Sequence, residues 1–137
     1  MRAVIDTNVL ISAAIKPAGL QRTALLLAMT KPARWYVSRP VLEEYREVLA
    51  RKELKIRKGL QRQLLQLIRN RSHPVAKTRR LAAALDPDDN IFLECADAAG
   101  ADYLITGNQK HFPKFWKKTK VITPREFVSL AAPHLMR

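Results

Sequence analysis

Asp86-Pro87-Asp88-Asp89-Asn90-Ile91-Phe92-Leu93-Glu94-Cys95-Ala96, continuing through Gly100 to Tyr103-Leu104-Ile105, is the stretch whose reading decides the fold. An acid followed by proline starts a helix, which runs through about Ala99 until Gly100 stops it. The β-type run Tyr103-Leu104-Ile105 then follows as a strand. The same alternation extends outward in both directions. Toward the amino end, Val4-Ile5 opens a short strand, and Leu20 to Met29 reads as a helix between the breakers Gly19 and Pro32. Trp35-Tyr36-Val37 is a second strand, and Ser38-Arg39-Pro40 starts a helix with Ser38 or Arg39 at the cap. Along that helix Val41, Leu42, Tyr45, Val48 and Leu49 recur at helical spacing. Gly59 to Ile68 gives another helix, with Leu60, Leu64, Leu65 and Ile68 on its apolar stripe. Toward the carboxyl end, Val121-Ile122 is the last strand, and Thr123-Pro124 caps a final helix through Leu130. Strands alternating with helices over short connections predict an α/β fold with a mainly parallel sheet, in which ligand sites gather at the carboxyl ends of the strands.

With 137 residues and no linker, repeat or low-complexity tract, the expectation is a single domain over 1–137. No uncharged apolar run reaches the roughly 18 residues of a membrane span. Asp6 interrupts any secretory apolar region, and Cys95 has no second cysteine to bridge. A cytoplasmic protein with no membrane association is therefore expected. The charge balance is the strongest bulk signal: 25 Lys and Arg against 12 Asp and Glu give a formal +13. Such a chain attracts polyanions. The excess clusters in Arg51, Lys52, Lys55, Arg57, Lys58, Arg62, Arg69, Arg71, Lys77, Arg79 and Arg80, with Glu53 as the one acid among them. A second group, Lys110, Lys114, Lys117, Lys118 and Lys120, is interleaved with Phe112, Phe115 and Trp116. A merely solubilising surface is the alternative explanation.

Against this background the positions of the acids are informative. Asp6 stands directly after Val4-Ile5, at the carboxyl end of the first strand; the plainer alternative is a cap for a helical turn beginning near Val9. Helical geometry separates Glu43 from Glu44. Glu43 groups with the polar Arg46, Glu47 and Ala50, whereas Glu44 groups with Val41 and Val48 at the border of the apolar stripe. A carboxylate placed there needs a metal ion, a cationic partner or access to solvent. In 86–90, Asp86 can cap while Asp88 and Asp89 sit in the positive first turn, which explains all three structurally. Asp89 shares a helical face with Phe92, Leu93 and Ala96, and Asp88 with Ile91, Phe92 and Cys95, a slight preference for Asp89. Finally, Thr106-Gly107-Asn108 ends a strand with a hydroxyl, a glycine and an amide oxygen; alone it reads as a turn. Hard divalent cations prefer such oxygen ligands, and in phosphodiester hydrolysis they activate water and stabilise the leaving oxygen.

Four segments together resemble the PIN-domain nucleases, and within them the toxin components of bacterial toxin-antitoxin pairs akin to VapC. They are Val4-Ile5-Asp6-Thr7-Asn8-Val9-Leu10, Ser38-Arg39-Pro40-Val41-Leu42-Glu43-Glu44-Tyr45, the 86–96 stretch, and Gly100-Ala101-Asp102-Tyr103-Leu104-Ile105-Thr106-Gly107-Asn108. The resemblance implies a three-layer α/β/α sandwich and Mg²⁺- or Mn²⁺-dependent cleavage of single-stranded RNA. It implies Asp6, Glu44 and Asp89 as catalytic and metal-holding acids, with Asn8 and Thr106 shaping the pocket. At Asn108 the chain departs from the many members that carry a fourth aspartate. An amide still offers a metal one oxygen but no charge, so one ion is expected to be held better than two, with Asp86 or Asp88 as compensating acids. Arg51, Lys52, Lys55, Arg57, Lys58 and Lys110 are the expected RNA contacts. The family further implies an antitoxin protein over the pocket and a homodimer formed through apolar helical surface. Two rivals remain on the residues alone: an RNA-binding module that has lost catalysis, and a flavodoxin-like phosphotransfer domain using Asp6 as nucleophile. The latter usually has a second aspartate two residues on, where this chain has Asn8.

Overall fold

The computed structural model describes residues 1–76, 78–81, 84 and 86–136. Lys77 of the basic cluster lies outside the described residues. Six strands form one sheet: β1 Arg2–Ile5, β2 Arg34–Val37, β3 His73–Pro74, β4 Tyr103–Ile105, β5 Phe115–Trp116 and β6 Thr119–Ile122, in the order β3-β2-β1-β4-β6-β5. All pairings are parallel except β5 with β6, which form an antiparallel hairpin at the edge. The helices are α1 Thr7–Ile15, α2 Leu20–Ala28, α3 Arg39–Leu49, α4 Lys58–Arg71, α5 Asn90–Ala99 and α6 Pro124–Ala131.

Alternation along the strands assigns the layers. Register places Trp35, Ala3 and Tyr103 side by side on one face. On that face Trp35 meets the ring of Tyr45 from α3, and Tyr103 meets Phe127 from α6, both edge-on. The helices α1 and α2 join this layer through contacts with α3 and α6 respectively. On the opposite face the Arg2 guanidinium lies over Tyr36, and its Nη1 donates to the carbonyl of Ala99 at the end of α5. The α5 helix packs there on β1, β2 and β4, burying Phe92, Leu93, Cys95 and Ala96. The expected α/β sandwich with a mainly parallel sheet is what the structure shows. Each large apolar side chain so buried, Phe92 or Leu93 for example, contributes about 1.5–3 kcal/mol through the water it sheds.

Three local features differ from the sequence expectation. The segment after Asp6 is a full helix beginning at Thr7, where a helical turn near Val9 had entered only as the plainer alternative for Asp6. The acidic stretch does not enter an α-helix at Pro87: Asp86 Oδ1 accepts from the amide of Asp88 at 3.0 Å, and Pro87–Asp89 forms a 3-10 turn. The bond is the N-cap expected of Asp86, closing a 3-10 turn instead of the first turn of an α-helix, and α5 starts at Asn90 with Asp89 at its N-cap position. Asp89 therefore sits at the junction between turn and helix, with right-handed helical backbone. The short strands β3 and β5 were not foreseen. Among the described residues no helix is long and apolar enough to cross a membrane.

Candidate metal and nucleic-acid site

Each expected acid is delivered by a different element. Asp6 leaves the carboxyl end of β1, where it occupies the N-cap position of α1 without making a side-chain capping bond. Its carboxylate is buried, and Thr106, the first residue after β4, donates its hydroxyl to Asp6 Oδ2 at 2.7 Å. Because β1 and β4 are neighbours in the sheet, this contact spans one strand pairing. Glu44 comes from the middle of α3. Thr7, buried at the start of α1, donates its hydroxyl to Glu44 Oε2 at 3.0 Å. Tyr45, the next residue on α3, donates its hydroxyl to the carbonyl of Ile5, immediately before Asp6, so α3 is tied to the strand that carries the first acid. Asn8 Oδ1 accepts from the amide of Gly107 at 3.1 Å, and the Asn108 amide donates to Thr106 Oγ1 at 3.0 Å. The first bond ties the start of α1 to the turn after β4, and the second closes that turn.

Asp6, Glu44, Asp89, Asn108 and Asn8 line one open cavity of about 530 Å³, together with Arg51. Thr106 acts from behind, through Asp6. Asp88 is exposed and does not line the cavity, whereas Asp86 does. Lys52, Lys55, Arg57 and Lys58 are exposed on the segment that leads into α4, and of the expected RNA contacts only Arg51 reaches the cavity wall. Lys110 faces a different cavity. Sequence reasoning did not single out His111, which also lines the acidic cavity and places Nδ1 3.3 Å from Asp89 Oδ2. The available signal was its position three residues after Asn108: the His111 amide donates to the Asn108 carbonyl, so one 3-10 turn brings both to the same wall.

The electrostatics are those of crowded carboxylates. Burial pushes the Asp6 carboxyl up to about 6, the Thr106 hydroxyl opposes this, and the negative charge of Asp89 adds to it. Asp89 is also raised, by burial first and then by Asp86, with His111 pulling the other way. Asp89 Oδ2 is buried and has no hydrogen-bond partner; His111 stands at ion-pair distance but not in hydrogen-bond alignment. Mutual repulsion and an orphaned carboxylate oxygen are both relieved by a cation, and an all-oxygen donor set suits a hard divalent one. The donors therefore fit such an ion chemically. Among the described residues, however, no three His, Cys, Asp or Glu side chains stand close enough together to grip an ion as they are placed.

The fold agrees with the comparisons. A model of the PIN domain matches residues 2–110, and PIN domains are generally nucleases. No curated protein is significantly similar to the chain. Among solved structures, the chain is similar to one in the crystal structure of VapBC2 from Rickettsia felis bound to a DNA fragment from their promoter. The TM-score is 0.61 at 17% identity, covering 90% of this chain and 98% of that one, a likeness of fold. The family match begins with β1 and extends past Asn108, so it takes in Asp6, Glu44 and Asp89: the chain belongs to the PIN domain family.

Proposed function

We propose that the chain is a Mg²⁺- or Mn²⁺-dependent endoribonuclease of single-stranded RNA, one PIN-like domain over 1–137 that acts in the cytoplasm as the toxin of a toxin-antitoxin pair. The observation that carries the reading is the convergence of Asp6, Glu44 and Asp89, from three separate elements, on one cavity at the carboxyl end of the sheet. Asp6, Glu44 and Asp89 would hold the ion, with the amide oxygen of Asn108 at the edge. When bound, such an ion supplies an activated water and offsets phosphate charge. The chain's own groups do the rest. Thr106 and Thr7 fix the carboxylates of Asp6 and Glu44 in place, Asn8 holds the turn that presents Asn108, and Asp86 adds negative charge beside Asp89, with Asp88 in support. Arg51, Lys52, Lys55, Arg57, Lys58 and Lys110 supply affinity for the phosphate backbone. Hydrolysis places the oxygen of water on phosphorus and breaks one ester P–O bond.

Incubating wild type and Asp89→Asn with mixed RNAs and Mg²⁺ or Mn²⁺, then mapping the cut ends, tests the assignment. Asp89→Asn should lose metal-dependent cleavage and keep its melting temperature; full activity in that variant sinks the reading. The rival, an RNA-binding module without catalysis, is favoured by Asn108 and by the absence of a ready ligand set among the described residues. RNA binding with no cleavage under either metal establishes the rival. For the partners, the likeness to a chain of the VapBC2 structure supports an antitoxin partner, whose place in this reading is over the acidic cavity. Leu26 on α2 and Leu130 on α6 lie on contacting helices and are both half exposed, which supports a homodimer through that surface. A monomer in sizing experiments counts against the homodimer.

A further inference from the structure

The second basic cluster is split by the fold. Lys117 places Nζ 2.8 Å from Asp97 Oδ1, where Trp116 Nε1 also donates, and Lys118 places Nζ 3.4 Å from Asp102 Oδ1. Both lysines are thereby engaged at the far end of the hairpin. Lys110, Lys114 and Lys120 form no ion pair among the described residues. Instead they line a second cavity of about 360 Å³ with Gln109, Phe112 and Phe115. Phe112 is 7% exposed and gives this cavity an apolar lining, whereas Phe115 is 59% exposed.

The single acid on its wall, Glu126, is hydrogen-bonded through one oxygen. Its Oε1 accepts from the Thr123 amide and hydroxyl, both at 3.2 Å, and from Gln109 Nε2 at 3.1 Å. Gln109 Nε2 also donates to the Val121 carbonyl at 3.2 Å, which anchors the turn to β6. The turn Gln109–His111 is a wall shared by the two cavities: Asn108 and His111 line the acidic one, Gln109, Lys110 and Phe112 the other. An exposed aromatic ring beside three uncommitted ammonium groups is the combination that holds single-stranded nucleic acid, with stacking for a base and charge for the flanking phosphates. It suits an RNA strand better than a polypeptide, because it offers three positive charges against one carboxylate around one ring.

We propose that this cavity is a base-binding subsite of the RNA channel. A nucleotide next to the one at the acidic cavity unstacks and lays its base against Phe115, while Lys110, Lys114 and Lys120 take the adjoining phosphates. The subsite rests on the reading of the substrate as single-stranded RNA, and it adds a place where sequence preference arises.

Binding is read on its own, with a short labelled single-stranded oligoribonucleotide and the full chain in chelator, and cleavage is followed in parallel with Mn²⁺. Phe115→Ala should weaken binding roughly 5- to 150-fold, the range for losing one stacked base. Phe115→Tyr should keep affinity, and Phe115→Leu, apolar but without a stacking face, should behave like Phe115→Ala. Lys114→Ala and Lys120→Ala should each flatten the salt dependence, by about 0.7 in slope for every phosphate left without its ammonium group. Because Phe115 is exposed, an unchanged melting curve for each variant shows that folding is intact. Equal affinity of Phe115→Ala and wild type overturns the subsite and leaves the ribonuclease standing, with the groove left to a polypeptide. A protein that binds with this pattern but never cuts keeps the subsite and overturns the ribonuclease. Wild type that binds no RNA overturns both.

Discussion

At Asp6 the chain places a carboxylate where burial opposes its charge, and the sign of the consequence follows from linkage. The folded value, about 6, lies above the ordinary 3.8, so the folded state binds the proton more tightly than the unfolded chain. That stabilising contribution is complete below about pH 3.8 and is lost as pH rises through about 6. At neutral pH the ionised Asp6 therefore costs the fold on the order of 3 kcal/mol, at about 1.4 kcal/mol per pKa unit. Asp97 and Asp102 act in the opposite sense. The hydrogen bond from Lys117 holds the Asp97 carboxyl below the usual range, as the Arg2 amide does for Asp102, and their contributions are lost only on acidification below the unfolded value. Comparing wild type with Asp6→Asn isolates the first effect. The variant should resist denaturant better at pH 7, with the difference shrinking toward pH 4, and equal stability at pH 7 would contradict the burial argument.

At the scale of elements, α3 links packing to the site. Ser38 is buried and its Oγ accepts from the Val41 amide at 3.3 Å, with Pro40 in the first turn. The helix so started buries Val41, Tyr45 and Leu49 and carries Glu44 beside them. Ser38→Ala leaves that amide unsatisfied and should cost about 1 kcal/mol, a loss of several degrees in melting temperature by thermal denaturation. No change would mean that water replaces the cap. The reading of this element from sequence succeeded because a hydroxyl followed by proline is a strictly local signal; Thr123-Pro124 succeeded likewise, and the structure completes its capping box with Glu126. At Asp86-Pro87 the same pattern announced a helix start but not which kind of turn forms first. There Asp86 caps as expected, but the turn it caps is a 3-10 turn, and the α-helix begins at Asn90.

For the whole molecule, the relevant feature is a basic chain, formally +13, wrapped around an acidic cavity. A cation that binds the folded chain and not the unfolded one stabilises it by mass action, by about 2.7 kcal/mol at a hundred times its dissociation constant. Mg²⁺ or Mn²⁺ should therefore raise the melting temperature of wild type by several degrees, reversibly with chelator, and should do much less for Asp6→Asn. An equal rise in both proteins would place the ion outside this cavity. Scanning calorimetry reads the effect without any nuclease assay.

What the sequence by itself determined was the succession of elements and the candidacy of Asp6, because a strand run, a cap and a breaker are encoded by neighbouring residues. Helix α1 was not read as an element, a turn near Val9 entering only as the alternative explanation of Asp6: Val9, Leu10, Ile11, Ala13 and Ala14 are apolar nearly all round, so they offer no periodic contrast. The two-residue strands β3 and β5 exist only through the partners they pair with. Only the tertiary structure decided that Thr7 holds Glu44 and Thr106 holds Asp6, pairs 37 and 100 residues apart in the chain. It also decided that His111 stands beside Asp89, and that of five lysines in the second cluster two are paired while three surround an open ring. Side chains brought together by sheet order rather than by chain order leave no mark in local spacing, and the partners of the acids and lysines are of that kind.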